Sequence, residues 1–545
     1  MRDGRADASQ ATRRDVLTAL CSGGLALGLS SRIAAAADAS RAHHGYARGR
    51  VYEDFSSGHS AMGRDCGLPG VMVSNGRDVT LTARDGSWRL PLQDGEGVFV
   101  IKPANWRLSS RPGLPAPGWV YHGGAVQDPQ SSIDFALERC DEAHRFDVLL
   151  VADTQASNRD ELGYVRQDLL AATRGSAAAF ALHHGDVMGD DLSLLPEYME
   201  MIKETGLNWH HCPGNHDMNF DAPSPVHALE TWKRLVGPPH YAFEYGKAVF
   251  ILLNNVEYLP SGVRGNSHKP YRGRIGDDQL HFVRNVLRHV PTNRLVVVSM
   301  HIPLQSFDEP GGTTTTTSDR NKLLALLGTR PHTISFSGHS HTTEHHYFGR
   351  SDGFDRARPH HHQVLTAVCG SWWSGERDGS GVPTADSRDG SPRGHHVLSV
   401  DGSEASTRFV PANAAPPGQM RLMLLHENGD RKSLASGPVK CCDLPATVLL
   451  ADVFDGGPQT RVIFEIENSG AVPMHAGRAV DPYVAESYAR SPLLCKPWLE
   501  ACVSSHIWHA PLPAGLPAGL HILTVTATND YGVIHRAQLA VDVVG

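Results

Sequence analysis

The sequence predicts a layered α/β fold in the middle of the chain, with a small β-rich module on either side of it. Three observations predict this. Apolar or β-branched runs such as DVLLVADTQ, FALHHGD, LVVVSMH and TISFSGHSH end abruptly in polar, Gly-flanked residues, as the strands of a buried sheet do where they pass into loops. Helical patterns alternate with these runs at roughly residues 160 to 173, 193 to 205, 277 to 290 and 319 to 328. The flanking stretches show short alternating runs separated by turn signals.

At the amino terminus, ATRRDVLTALCSGGLALGLSSRIAAAADA carries Arg13-Arg14, an apolar stretch from Val16 and small residues from Ala34 to Ala37. This pattern predicts an export signal over residues 1 to 37, read by the twin-arginine (Tat) machinery and cleaved near Ala35 to Ala37. Serines, glycines and Arg32 make the stretch too polar for a membrane anchor, and no other segment looks transmembrane. The mature protein is therefore expected in the periplasm or outside the cell. Eight cysteines follow Cys21, an even number that permits disulfides in an oxidising compartment. Cys495 and Cys502 form the one local pair worth testing, while packed free thiols are equally open for Cys212 and Cys369.

Residues 45 to 104 alternate like short strands, with turns at SNGRD, ARDGS and QDGEG, and predict a small β sandwich. Its pattern resembles the transthyretin-like or carboxypeptidase-regulatory module, which implies support of the neighbouring domain and no chemistry. The stretch RPGLPAPGW marks a boundary. The α/β domain is expected over 140 to 408; in it, the five threonines of GGTTTTTSDR give no packing stripe and predict a flexible loop. Past the linker PANAAPPG, runs such as TRVIFEIE and GLHILTVTATNDYG predict a second β sandwich over 409 to 545. It could brace the domains or contact carbohydrate or the cell surface, and substrate shaping by one of its loops is also open.

The chemistry lies in five blocks that each place a metal-binding atom at a strand end: Asp153 in VADTQ, Asp186 in HHGDV, Asn215-His216-Asp217 in PGNHD, His301 in SMHIP, and His339 with His341 in SGHSH. Hard oxygen donors mixed with imidazoles suit borderline divalent ions such as Mn, Zn or Fe rather than an all-thiolate zinc site. Two close cations need an anion between them, and Asp186 is the natural bridging carboxylate. Formal charge balances to -8, which leaves no basic surface for nucleic acid.

Taken in order, these blocks resemble the calcineurin-like metallophosphoesterases from Asp147 to about Val400. The resemblance implies a four-layer α/β/β/α sandwich flanked by the two β sandwiches, with a two-metal site at the sheet edge. It implies that Asp153 and His341 hold one metal, that Asn215, His301 and His339 hold the other, and that Asp186 bridges. Gln155 stands where the family's commonest form has histidine. Its neutral amide oxygen is a weaker ligand, which favours a harder ion such as Mn or Mg at that position.

The activity so implied is hydrolysis of phosphate mono- or diesters by a hydroxide between the cations. His216 is expected to serve the leaving group, with Asp217 orienting its ring. A pyrophosphatase or nucleotidase acting on nucleotides or lipid-linked sugars is an alternative, as is an inactive protein that binds the cell envelope. The expected partner is a phosphorylated small molecule or an envelope component.

Other histidines have plainer expectations. His183, His184, His210 and His211 are expected to pack in the core or behind the ligands, and His345-His346 and His360 to His362 to be exposed in a polar loop. The tryptophans of CGSWWSGERDG can form a pocket wall, or one can pack while its neighbour covers the surface. With YRGRI, this segment resembles a bacterial subgroup of the family that carries terminal β domains. Asn158, Arg272, Trp373 and His395 are the candidate substrate contacts.

Overall fold

The computed structural model describes residues 45–55, 66–93, 95–109, 118–121, 132–259, 271–412, 418–428, 431–467 and 470–545. The expected export signal, with Arg13, Arg14 and Cys21, lies outside the described residues, as do most of the RPGLPAPGW boundary and the core of the PANAAPPG linker.

Two sheets form the centre of the molecule. The first runs in the order Trp209–Cys212, Ala178–His184, Arg145–Val151, Gly394–Asp401, Glu404–Pro411, parallel across its first three strands. The second runs Tyr241–Tyr245, Ala248–Leu252, Leu295–Ser299, Thr333–Ser337, His360–Val364, Glu344–Phe348, with four parallel strands between antiparallel edges.

Period-two alternation explains why these strands read as continuous apolar runs. Phe146, Val148 and Leu150 point between the sheets toward Phe250, Val297 and Phe336. Leu149 and Val151 point the other way, onto the helices Arg159–Thr173 and Leu195–Met201. Val296 and Val298 face the helices Asp277–His289 and Arg320–Leu327 on the opposite side. The result is a four-layer α/β/β/α sandwich, in which each fully buried Val or Leu contributes ~1.5–3 kcal/mol of hydrophobic stabilisation.

The amino-terminal β unit has two small sheets around Val51, Trp88, Leu92 and Phe135. It extends beyond the expected limit at 104, because strand Phe135–Arg139 pairs in parallel with Gly45–Glu53 and antiparallel with Trp106–Leu108. Met72, Phe99 and Ile101 continue into the core under the Asp277–His289 helix. At the other end, two five-stranded sheets enclose Leu449, Phe464, Trp508 and Val525.

Three local expectations are corrected. His345, His346 and His360 to His362 are buried in strands, where Ser335 bonds His360 (2.7 Å) and His362 (2.8 Å), and His345 bonds His361 (2.9 Å) and Asp455 (3.1 Å). They look solvated in sequence because the groups that satisfy them come from remote segments. Thr315, Thr316 and Thr317 are buried too; the threonine run packs against Gly273 and Asn255, whose Nδ2 donates to Thr317 Oγ1 at 2.8 Å. Cys495 and Cys502 are free thiols, Cys502 buried. Among the described residues, no helix is long and apolar enough to cross a membrane.

The carboxy-terminal sandwich docks on the central domain through buried polar groups. His506 sits between Asp452 Oδ1 (2.5 Å) and Asp389 Oδ2 (2.9 Å), so one imidazole joins the two units. Burial opposes its charge, but Asp452 and Asp389 outweigh that and raise its pKa well above the ordinary value. Replacing it by leucine removes the positive charge between two buried carboxylates, and His506→Leu is expected to lower stability by about 3–5 kcal/mol in a denaturation experiment. The stabilisation is complete below about 6.5, the ordinary histidine pKa, and diminishes as pH rises toward the folded value. An unchanged denaturation midpoint at pH 6 would show that the imidazole does not hold the interface.

Candidate metal centre

The loops that follow the central strands converge at one end of the two sheets. Of the ten described non-glycine residues with positive φ, eight lie in these loops: Asp153, Gln155, Asp186, Asp190, His339, His341, Trp372 and Trp373. Left-handed backbone is unfavourable for residues with a Cβ and persists where the surroundings enforce it, commonly at functional sites. Glycines make the approach possible. A Cβ on Gly214 would stand 2.1 Å from Asp186 Oδ1, and one on Gly338 would stand 2.2 Å from Asp153 Oδ2.

His301 lies at the centre, fully buried. Its Nδ1 donates to the His184 carbonyl at 2.8 Å, which leaves the lone pair of a neutral ring on Nε2. That atom faces Asn215 Oδ1 at 3.0 Å, Asp186 Oδ2 at 3.2 Å and His339 Nδ1 at 3.2 Å. Asp186, His301 and His339 offer ligand atoms that all lie within 4.8 Å of one another.

Asp153 accepts from the His339 backbone N–H at 2.9 Å and lies 3.7 Å from His341 Nε2. The other His341 nitrogen, Nδ1, is committed to the Gly370 carbonyl at 2.5 Å. Burial pushes the Asp153 carboxyl up to about 7 and the His341 imidazole down to about 3. Burial also opposes ionisation of Asp186, yet His301 and His216 beside it hold its carboxyl below the usual range. The structure thus brings together Asp153, Asp186, Asn215, His301, His339 and His341.

These residues fit divalent cations. A lone pair on His301 Nε2 directed at the Asn215 and Asp186 oxygens is repulsive unless a positive charge stands among them. Protonation can supply that charge in part, and the His301 pKa is pushed up to about 9, with burial opposing and Asp186 outweighing it. A cation answers all the acceptors at once.

Gln155 is present but turned. Its Nε2 donates to Asp186 Oδ2 at 3.0 Å, and its Oε1 accepts from the Cys369 thiol at 3.5 Å. A half-turn of the amide exchanges the two atoms and would present the oxygen expected of a ligand.

The expected His216–Asp217 pair does not form. Asp217 is buried and accepts from the backbone N–H groups of Gly214 (2.8 Å), Met188 (3.0 Å) and Val187 (3.1 Å), so it ties the two ligand loops together. Asp190 holds the His216 ring instead, with Oδ1 2.5 Å from Nδ1, and the free edge of the ring faces Asp186 with Nε2 4.0 Å from Oδ2. Burial opposes the charge on His216, but Asp186 and then Asp190 push its pKa up to about 9. Asp190 escaped the sequence reading; its only signal was a second carboxylate after Gly189 in GDVMGDD.

The candidate substrate contacts have other duties. Asn158 caps the Arg159–Thr173 helix, its Oδ1 accepting from Glu161 N at 2.9 Å. Arg272 is paired with Glu257 on the neighbouring strand. His395 lies against Asp168, Leu169 and Pro411 at the outer face of its sheet, and burial pushes its pKa down to about 3. Trp373 is buried, with its indole N–H donating to the Thr154 carbonyl at 3.1 Å. Trp372 is the tryptophan at the centre, stacked on His341 at 4.2 Å between ring centroids.

An α/β/β/α sandwich with carboxylate, amide and imidazole donors gathered at the edge of its sheets defines a metal-dependent hydrolase. Residues 146–343 match the family described as calcineurin-like phosphoesterase, and residues 362–535 match the C-terminal domain of calcineurin-like phosphoesterase. The chain belongs to that family and is a metal-dependent phosphoric ester hydrolase. Among solved structures it is similar to purple acid phosphatase PPD1 from seeds of yellow lupin (Lupinus luteus), at 12% identity over 64% of this chain and 68% of that chain. The TM-score of that likeness is 0.37. No curated protein matches the chain.

The crowded glycines generate a test. Gly214→Ala and Gly338→Ala each drive a methyl group into a ligand carboxylate and are expected to strip divalent metal from the purified protein, measured by elemental analysis. Gly163→Ala, on a helix face with nothing within 4 Å of the added carbon, is expected to keep its metal. Equal metal content in all three would show that these close approaches do not shape the centre.

Proposed function

We propose that this enzyme is an exported phosphoesterase that uses two divalent cations to hydrolyse phosphate mono- or diesters. The observation that carries this reading is the convergence of Asn215, Asp186 and His339 on Nε2 of His301. Asp153 and His341 would hold the first cation, with Gln155 joining them through its oxygen once its amide is turned. Asn215, His301 and His339 would hold the second, with Asp186 between the two. When bound, such a pair polarises the phosphoryl oxygens and lowers the pKa of a water held between them. Oxygen and imidazole donors suit Mn, Zn or Fe, and the neutral Gln155 keeps Mg open for the first position.

The protein's own part is to position and to move a proton. Hydroxide attacks phosphorus in line and expels the leaving oxygen, which needs a proton as its bond to phosphorus breaks. His216 is the group placed to donate it from Nε2, because Asp190 fixes the ring through Nδ1. Asp217 serves the backbone of both ligand loops and takes no part in the transfer.

Export is supported by Arg13-Arg14, the apolar stretch from Val16 and the small residues from Ala34 to Ala37. The enzyme would then meet phosphorylated small molecules or envelope components in the periplasm or outside the cell. Replacing both arginines by lysine is expected to hold the protein in the cytoplasmic fraction, and an unchanged distribution would remove this part of the reading.

Asp186→Ala and Asn215→Ala are expected to abolish phosphate release from an activated aryl phosphate, and retained turnover would defeat the proposal. His216→Asn is expected to keep its metal and lose ~10²- to 10⁴-fold in rate. Asp190→Asn should lose less than His216→Asn, because the ring remains and only its orientation and charge are weakened. If Asp217→Asn slowed turnover at full metal content while Asp190→Asn did not, the orienting role would return to Asp217.

A further inference from the structure

The carboxy-terminal sandwich brings one aromatic side chain to the metal centre. Trp372 stacks on the imidazole of His341 with 23° between the ring planes, and Trp498 meets Trp372 edge-on at 6.4 Å and 75°. Trp498 belongs to the carboxy-terminal unit, in the segment between the helix Pro482–Arg490 and the strand Val503–Pro511. It is 62% exposed, although large aromatic rings normally bury most of their surface.

The segment around this ring is fastened to the central domain. Gly375 N–H donates to the Leu494 carbonyl at 3.0 Å, Lys496 N–H donates to Ser374 Oγ at 3.1 Å, and Lys496 Nζ pairs with Glu161 at 3.0 Å. On the far side, Arg388 Nε donates to the Glu500 carbonyl at 3.2 Å, and Cys502 N–H donates to the Arg388 carbonyl at 2.9 Å. Bonds on both sides therefore fix the backbone around Trp498 while most of its ring stays exposed. A tryptophan held still, exposed, and two ring contacts from a metal-ligating imidazole is an aromatic face ready for a ligand, because the entropy of ordering it is already spent.

We propose that Trp498, with Trp372 behind it, determines specificity by stacking on a flat ring in the leaving group of the phosphate ester. The inference rests on the phosphoesterase reading of the centre and adds the part of the substrate beyond phosphorus. A phosphoryl group bound through the cations would direct its ester substituent outward, and the Trp372–Trp498 pair, stacked on His341, would be the aromatic surface that meets it. Aromatic rings and the apolar faces of sugars offer the same flat surface, and the substrates tested must separate them.

The test uses the full chain and the Trp498→Ala and Trp498→Phe variants. Hydrolysis is compared for 4-nitrophenyl phosphate, glucose 1-phosphate and the small alkyl ester methyl phosphate. Binding of phenylphosphonate and methylphosphonate, which are not hydrolysed, is measured by calorimetry on the metal-loaded protein. Trp498→Ala is expected to weaken phenylphosphonate binding and raise KM for the nitrophenyl ester by roughly 5- to 100-fold, the scale of ring stacking on an aromatic side chain. Methylphosphonate binding should stay within about twofold, metal content should be unchanged, and Trp498→Phe should recover most of the loss.

A matching loss on glucose 1-phosphate would extend the ring to sugars, and its absence would restrict the ring to aromatic ones. Equal effects of Trp498→Ala on phenyl and methyl ligands, or no effect on either, would overturn the inference. If the unaltered enzyme hydrolysed none of the esters, the phosphoesterase reading would fall, and the phosphonate comparison would still decide whether Trp498 recognises a ring.

Discussion

Side chains able to ligate a metal repel one another, and this protein holds six of them close together at one edge of its sheets. The Asp186 and Asn215 oxygens and the His339 imidazole converge on His301 Nε2, while the other nitrogen of that ring is committed to the His184 carbonyl. The surrounding fold opposes that repulsion. Left-handed backbone at Asp153, Asp186, His339 and His341 turns each ligand inward, and at Gly214 and Gly338 the space a Cβ would occupy is already filled by ligand oxygens. Asp217 gathers three backbone N–H groups and so joins the loops that carry Asp186 and Asn215. The strain in these loops makes sense as part of the site, offset when charge arrives between the ligands.

Such crowding needs a rigid platform, which the paired sheets supply. Strands Arg145–Val151, Ala178–His184 and Trp209–Cys212 run parallel, so their carboxyl ends and the loops after them fall at one edge. Strands Leu295–Ser299 and Thr333–Ser337 do the same in the facing sheet, delivering His301 and His339 from the other side. The core between the sheets, from Phe146 to Phe336, fixes the gap across which the two sets of loops meet. Asn255 then braces the second set: its Oδ1 accepts from the backbone of His301 and Ile302, and its amide reaches the buried threonine run.

The ligand blocks were legible in the sequence because each is local: an apolar strand, a glycine and a donor in succession. Central helices were legible for the same reason, with the helix expected at 277 to 290 observed over Asp277–His289. What escaped the reading depends on meetings between distant segments. Asp190 looks like one more carboxylate in a loop until the fold sets it beside His216, and the adjacent Asp217 looks like the natural partner only because it is adjacent in the chain. The histidines from His360 to His362 look solvated because Ser335, His345 and Tyr531 are invisible to local pattern. Burial of Thr315 to Thr317 escaped likewise, since the partners Gly273 and Asn255 lie far upstream.

The interface with the carboxy-terminal sandwich depends on similar long-range meetings, and its polarity has a consequence for the metal centre. Asp455 joins His345 and Gln363, Tyr347 joins Asp530, and His506 joins Asp389 to Asp452, all across the junction and most of them buried. A greasy interface of equal area would tolerate sliding, because apolar contact has no direction. A buried ion pair does not, because a shift of an ångström leaves a charge without its partner. The polar junction therefore fixes one docking geometry, and with it the place of the segment that runs from Ser491 to Cys502 beside the His341 loop. Two sandwiches packed apolar face to apolar face could have shared stability alone, whereas this junction also sets where Trp498 meets Trp372.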